Sequence, residues 1–397
     1  MNGHRLAPRC SFFKSIFVLN LAMVLMFMSG CGNEQEQRLP LPKSMETREN
    51  LRVLKLSSGK PPAPVFQPLG QPVRAVYVSS FAALSGRMDK LIELVNETEL
   101  NALVIDVNSG ARLTGLSRPA GSQSYPMAQT RSVSSMSRLV KKLKENHIYL
   151  IARIVTFKDA ALADSNPRWA IRSKEGKVWK DRGGNAWIDP FREEAWAYPI
   201  ALAEQASSMG FDEVQFDYVR FPENGSKVDR EVQYANKHGW SKSEAISRFL
   251  RAATDKVHAK GAKISADVFG LVTSTADMGI GQRWGAISSE VDVISPMIYP
   301  SHYSNGMWGI RHPDLTPGLV VSRALADATR ENAKLLSAGK HAARVRPWLQ
   351  GFTAGWVRPH QTYGKDQIQE QIRAARKAGY SSYMLWNSAS RYPIFHT

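Results

Sequence analysis

Two aspartates stand where strand ends would present them to a ligand. Asp217 closes the stretch Phe211-Asp212-Glu213-Val214-Gln215-Phe216, and Pro222 breaks the chain five residues later. Asp267 lies near the end of a second apolar run, Lys263–Phe269. Cleavage of a glycosidic bond needs two carboxyl groups flanking it. One protonates the leaving oxygen; the other acts as nucleophile or activates water. Adjacent strands lie roughly 4.8 Å apart. Carboxyl groups at matching heights on neighbouring strands therefore fall in the roughly 5–9 Å range that both mechanisms use. Structural roles compete with this reading. Asp217 could cap a helix or pair with Arg220, and Asp267 could partner Arg153 or Tyr218.

Other residues could support such a site. Asp106 ends another apolar run and suits a sugar hydroxyl, a catalytic carboxylate or a salt bridge with Arg153. Arg153 lies inside a run, where an Arg needs a carboxylate partner because an unpaired buried charge is costly. Arg220 follows Asp217 by three residues and is expected to favour its charged form. Glu223 is a second candidate acid. Asp189 reads as a turn or cap residue, and Asp292, near the start of a run, as structural. Tyr299, Tyr303, Trp308, Phe352, Trp356 and Trp386 follow or end the later runs. Their flat faces suit the C–H faces of sugar rings. Trp196 and Trp284 fall on expected helices and read as core. His302 is placed to donate to a sugar hydroxyl. Neither H-x-H nor H-E-x-x-H occurs, so no metal site and no cofactor is expected. A G-x-S-x-G elbow and a P-loop are also missing.

The elements that must position these residues follow a repeating plan. The runs are Val73–Val78, Ala102–Val107, Tyr149–Val155, Glu213–Phe216, Lys263–Phe269, Val291–Ile298, Val345–Leu349 and Tyr383–Trp386. They are nearly continuously apolar, as parallel strands covered on both faces should be. Amphipathic stretches separate them, such as Met136, Leu139, Val140 and Leu143 at helical spacing. Eight strands alternating with helices predict a (β/α)8 TIM barrel over residues 73–397, with a missing or vestigial last helix. A doubly wound open sheet is the alternative, but no G-x-G-x-x-G follows the first run. Residues 156–192, 222–240, 270–281 and 299–317 follow strands directly, so the long loops belong to the C-terminal face, where barrel active sites lie.

The string Gln215-Phe216-Asp217-Tyr218-Val219-Arg220-Phe221-Pro222 resembles the signature of a largely uncharacterised family of bacterial TIM-barrel domains classed as glycosyl hydrolases. Ser265-Ala266-Asp267-Val268-Phe269-Gly270 and Ile294-Ser295-Pro296-Met297-Ile298-Tyr299-Pro300-Ser301-His302-Tyr303 match as well, and the resemblance covers roughly residues 73–393. It implies a barrel fold and a glycan substrate. By analogy with α-amylase-like enzymes, which often carry a nucleophilic Asp at the end of strand four, Asp217 is expected as nucleophile or base and Asp267 as general acid. The expected function is cleavage of a cell-envelope or extracellular polysaccharide. The alternatives are a non-catalytic carbohydrate-binding lipoprotein on a degenerate barrel, and a metal-assisted hydrolase or lyase.

The chain's start reads as an address. Arg5, Arg9 and Lys14 precede the apolar run Ile16–Met28, which is too short to span a bilayer core of roughly 20 residues. Met28-Ser29-Gly30-Cys31 resembles the lipobox of bacterial lipoproteins, so residues 1–30 are expected as a signal peptide and Cys31 as the lipidated mature N-terminus. Gly32 in place of Asp implies the outer membrane, by the same resemblance; its periplasmic side or the cell surface is expected rather than the inner membrane. Residues 31–72 hold seven of the 21 prolines and read as a semi-rigid tether. The formal charge of +17 suggests nucleic acid, lipid or an acidic polymer. Removing residues 1–30 lowers Lys+Arg from 52 to 49 against 35 Asp+Glu, leaving +14. The basic residues are dispersed and no nucleic-acid motif occurs. Expected partners are therefore a polysaccharide, possibly acidic, and a membrane held through the anchor; the chain is expected to be a monomer.

Overall fold

A computed structural model describes residues 70–108, 116 and 131–392. The predicted signal peptide, Cys31 and almost all of the tether lie outside the described residues.

Eight parallel strands form the frame: β1 (Arg74–Val78), β2 (Ala102–Asn108), β3 (Tyr149–Val155), β4 (Glu213–Asp217), β5 (Lys263–Phe269), β6 (Val293–Ile298), β7 (Trp348–Gln350) and β8 (Tyr383–Trp386). Each pairs with its neighbour in chain order, β8 pairs with β1, and Trp348 pairs with Met297, so the sheet closes. This is the predicted (β/α)8 barrel. Around it lie α1 (Arg87–Asn96), α2 (Arg131–Glu145), α3 (Glu193–Met209), α4 (Lys242–His258), the short α5 (Trp284–Ser288), α6 (Pro317–Ser337) and α7 (Lys365–Lys377). Among the described residues no helix follows β8.

The side-chain period of two sorts each strand between two cores. Val76 and Val78 face outward into a large cluster with the helices. Ala75 and Tyr77 face inward, with Ala102, Val104, Ile151, Tyr299, Trp348 and Met384. Both faces are buried, which is why the strands read as unbroken apolar runs.

The seventh run departs from expectation. Arg344–Val345 pairs with the lower part of β6, and pairing resumes only at Trp348. Arg346 N–H still donates to Ile294 O at 3.0 Å. Pro347 then interrupts the ladder because it has no N–H to give. Its carbonyl accepts from Met384 N–H at 2.9 Å.

The two longest loops of the C-terminal face are stitched together. Arg172–Ser173 pairs antiparallel with Val232–Gln233, and Lys174 N–H donates to Glu231 O at 3.1 Å. Asp189, 1% exposed, accepts from Phe191 N–H at 3.0 Å and from Ala235 N–H at 2.7 Å. It is a turn residue that also ties the loop after β3 to the loop after β4. Gly225 and Gly279 touch where the loops after β4 and β5 meet; a Cβ at Gly225 would lie 2.2 Å from Gly279 O.

Candidate active site at the C-terminal ends of the strands

The strand order brings the candidate residues together. Arg153 projects from β3 between Asp106 of β2 and Asp217 of β4. Its Nη1 donates to Asp106 Oδ1 at 2.5 Å and its Nε to Asp217 Oδ2 at 3.1 Å; Nη2 reaches the same Asp217 oxygen. Tyr77 of β1 donates its hydroxyl to Asp106 Oδ2 at 2.6 Å. One hydrogen-bonded chain, Tyr77–Asp106–Arg153–Asp217, thus crosses four neighbouring strands. All four residues are buried. The guanidinium also lies 5.0 Å from the ring centroid of Trp386, which packs on Tyr77 at 4.0 Å.

Asp267 stands beside Asp217. The β4–β5 register pairs Gln215 with Ser265 and Phe216 with Ala266, and the same offset carries Asp217 to Asp267. The two carboxyl groups therefore start from one height on adjacent strands. Asp267 is 1% exposed and accepts from Trp348 Nε1 at 2.8 Å. Burial, then the neighbouring Asp217, push its carboxyl well above the usual range. Arg153, the Trp348 hydrogen bond and Arg346 oppose this without reversing it. Burial also raises Asp106, against Arg153 and Tyr77. The hydroxyl of Tyr299 is pushed well above its usual range by burial, Asp267 and Asp217, so it stays a phenol. Asp267 is accordingly suited to keep its proton above the usual carboxyl range. Asp217 is the carboxylate held by a cation.

Arg220 departs from expectation. It does not pair with Asp217. Its Nη2 donates to Glu223 Oε1 at 2.6 Å, and its guanidinium lies against the rings of Trp187, Tyr218 and Phe269 at 5.1, 5.0 and 4.7 Å. Burial alone would raise Glu223, but the charge and hydrogen bond of Arg220 outweigh it and the net shift is downward. Glu223 therefore does not suit a proton donor. Asp217 instead accepts from the backbone N–H of Tyr218 at 2.6 Å. Tyr218 has φ +51°, the left-handed region, which is costly for a bulky residue and recurs at functional sites. That turn swings its ring toward Trp187 and Lys158.

A second aromatic group gathers beyond β6 and β7. Tyr299 meets His302 and Phe352 edge-on at 5.3 and 5.7 Å, and Phe352 stacks on Trp356 at 6.1 Å and 18°. The Nδ1 of His302 lies 3.0 Å from Ser301 Oγ. Surrounding protein lowers the His302 pKa to about 4. The residue is nevertheless exposed, so water moderates that downward shift. Tyr303 and Trp308 depart from expectation. Tyr303 is 6% exposed and packs in the outer cluster, with Trp308 tilted against it at 5.1 Å. Gly270 makes this fit, since a Cβ there would lie 2.3 Å from the Tyr303 hydroxyl. Neither ring joins the inner cluster that lines the carboxyl groups.

At the opposite face Asp292 accepts from Ile264 N–H at 2.8 Å and lies 2.8 Å from His258 Nε2, a structural role as expected. Sequence reasoning missed Tyr77 and Trp348. Each sits in register with the inward positions of its strand, and a strict period-two reading would have shown them. Among the described residues no group of three or more His, Cys, Asp or Glu side chains is placed to hold a metal ion.

A closed parallel barrel that gathers acids and aromatics at its strand ends is a TIM barrel with its candidate site at the C-terminal face. The chain belongs to the family described as "Putative glycosyl hydrolase domain", whose sequence model matches residues 75–392. Among curated proteins none matches this chain. The glycoside hydrolase domain of PgaB (BpsB) from Bordetella bronchiseptica is similar in fold, with TM-score 0.58 and 14% identity over 81% of this chain and 95% of that one. A hypothetical protein from Ruminiclostridium thermocellum is 31% identical over 49% of this chain and 97% of its own, with TM-score 0.44. An alpha-galactosidase from Thermus thermophilus gives TM-score 0.47 at 15% identity, over 81% of this chain and 59% of that one.

Proposed function

We propose that the chain is a glycoside hydrolase that cleaves a cell-envelope or extracellular polysaccharide, with Asp217 as nucleophile or base and Asp267 as general acid. The observation that carries this is the asymmetry of two adjacent carboxyl groups. Asp217 is ion-paired with Arg153, while Asp267 has a strongly raised pKa. A carboxyl group raised above its usual range is suited to act as the acid. Trp386, Tyr299, His302, Phe352 and Trp356 supply the surfaces for sugar rings, and Asp106 and Arg153 the polar contacts. The lipobox supports an envelope location, with Cys31 as the anchor and the tether as a spacer. The mature charge of +14 supports an acidic glycan.

One observation favours a second reading. Asp267 is almost wholly enclosed, so a non-catalytic glycan-binding barrel would show the same closed acid. The discriminating experiment is release of reducing ends from envelope polysaccharides by the chain, by Asp217→Asn and by Asp267→Asn. Hydrolysis predicts activity in the first and loss in both variants. Glycan binding with no new reducing ends would establish the second reading.

A further inference from the structure

A second charged layer lies beneath the carboxyl groups. The three strands that build the site continue downward in steps of two residues: Asp217, Gln215 and Glu213 on β4; Asp267 and Ser265 on β5; Trp348 and Arg346 on the β7 side. Glu213 is fully buried. It accepts from Ser265 Oγ at 2.5 Å, from the Tyr149 hydroxyl at 3.1 Å and from Arg346 Nη2. Arg346 is 2% exposed, and its Nε and Nη1 have no protein acceptor. Gln215 Oε1 is likewise buried without a donor. A buried guanidinium that spends one nitrogen on one carboxylate is only partly neutralised, and its field is weakly screened inside a barrel.

We infer that Arg346 and Glu213 are positioning residues that set the proton affinity of Asp267 from the layer below. The inference rests on the assignment of Asp267 as the acid. The groups facing Asp267 are Asp217 from β4, Arg153 from β3, Trp348 and Arg346 from the β7 side, and Tyr299 after β6. Arg153 is shared between two carboxylates. The Trp348 indole is neutral. Arg346 is therefore the second cation acting on Asp267, and Glu213 controls how much of its charge is felt. Glu213 lies four residues below Asp217 on β4, about 13 Å along the strand. Removing a unit charge at that distance changes a pKa by about one unit at an effective dielectric near 20, a tenfold change in proton affinity.

The test is infrared difference spectroscopy of the protonated carboxyl band against pH, with the Asp267 band assigned by its loss in Asp267→Asn. In Glu213→Gln the Arg346 charge is uncompensated, and the midpoint should fall about tenfold in proton affinity. Arg346→Lys keeps the charge and should hold the midpoint near that of the native chain, even where stability drops. An unchanged or rising midpoint in folded Glu213→Gln would overturn the inference and leave a merely structural pair. If Glu213→Gln does not fold, Arg346→Met decides: loss of the cation should raise the midpoint, and an unchanged or falling midpoint would overturn the inference. The titration needs no substrate, so a failed hydrolysis assay and a failed titration are told apart.

Discussion

Replacing Arg153 by methionine should destabilise the barrel strongly, and in a pH-dependent way. The side chain is 6% exposed and holds two carboxylates of 5% and 9% exposure. At about 3 Å and an effective dielectric near 20, each contact is worth about 5 kcal/mol before desolvation. Loss of one partner from a buried pair costs about 3–5 kcal/mol, mostly because the other charge is stranded. Here two carboxylates are stranded beside a third carboxyl group, so about 4 kcal/mol at neutral pH is expected. Burial already raises Asp106, and in the variant the opposing cation is gone. A carboxyl group whose folded pKa exceeds its unfolded value makes the native state bind more protons. Stability is then kept below the unfolded pKa and lost as pH rises through the folded one. The deficit of the variant should therefore shrink from about pH 7 to about pH 5. Urea denaturation at both pH values measures this as a shift in midpoint at constant slope. Adding Asp106→Asn should restore part of the loss, because the two sites share one network. A cost below about 1 kcal/mol at pH 7, or a deficit that grows as pH falls, would refute the reasoning.

Three further outcomes are expected. Asp267→Asn should flatten the pH dependence of folding stability: the raised Asp267 contributes a loss of up to about 1.4 kcal/mol per pH unit as pH rises above the unfolded carboxyl value, and denaturation at several pH values would show it gone. Trp348→Phe removes the 2.8 Å bond to Asp267, costing about 1–3 kcal/mol and raising the acid further; thermal denaturation and the carboxyl titration check the two parts. Phe352→Ala and Trp356→Ala should each weaken glycan affinity by about 0.5–1.5 kcal/mol, whereas Trp308→Ala should leave it unchanged, as calorimetry with a bound oligosaccharide would show.

The barrel was legible because its strands are buried on both faces and so stand out as short apolar runs between helical stretches. The strand ends Asp106, Asp217 and Asp267 were legible for the same reason, since polar residues interrupt those runs. Pairing was not. In sequence Arg220, three residues on, is the partner offered for Asp217, whereas Arg153 reads as a partner of Asp106 or Asp267. What separates them is that β3 and β4 are neighbours, and that the left-handed turn at Tyr218 carries Arg220 away among aromatic rings. Tyr303 and Trp308 follow β6 as Tyr299 does, but only loop geometry decides which side of the barrel wall each ring takes. The break in the seventh strand was not read, although Pro347 lies inside the expected run Val345–Leu349 and has no N–H to give. The Glu213–Arg346 layer was hidden because its members lie 133 residues apart and meet only when the barrel closes.

The central claim is that Asp217 and Asp267 flank the bond that is cut. The crystal structure of Asp267→Asn with an oligosaccharide in the cleft tests it most directly. The account predicts a glycosidic oxygen within hydrogen-bond reach of residue 267 and the adjoining anomeric carbon facing the Asp217 carboxylate. A glycan bound with its linkages more than about 10 Å from either residue would contradict it.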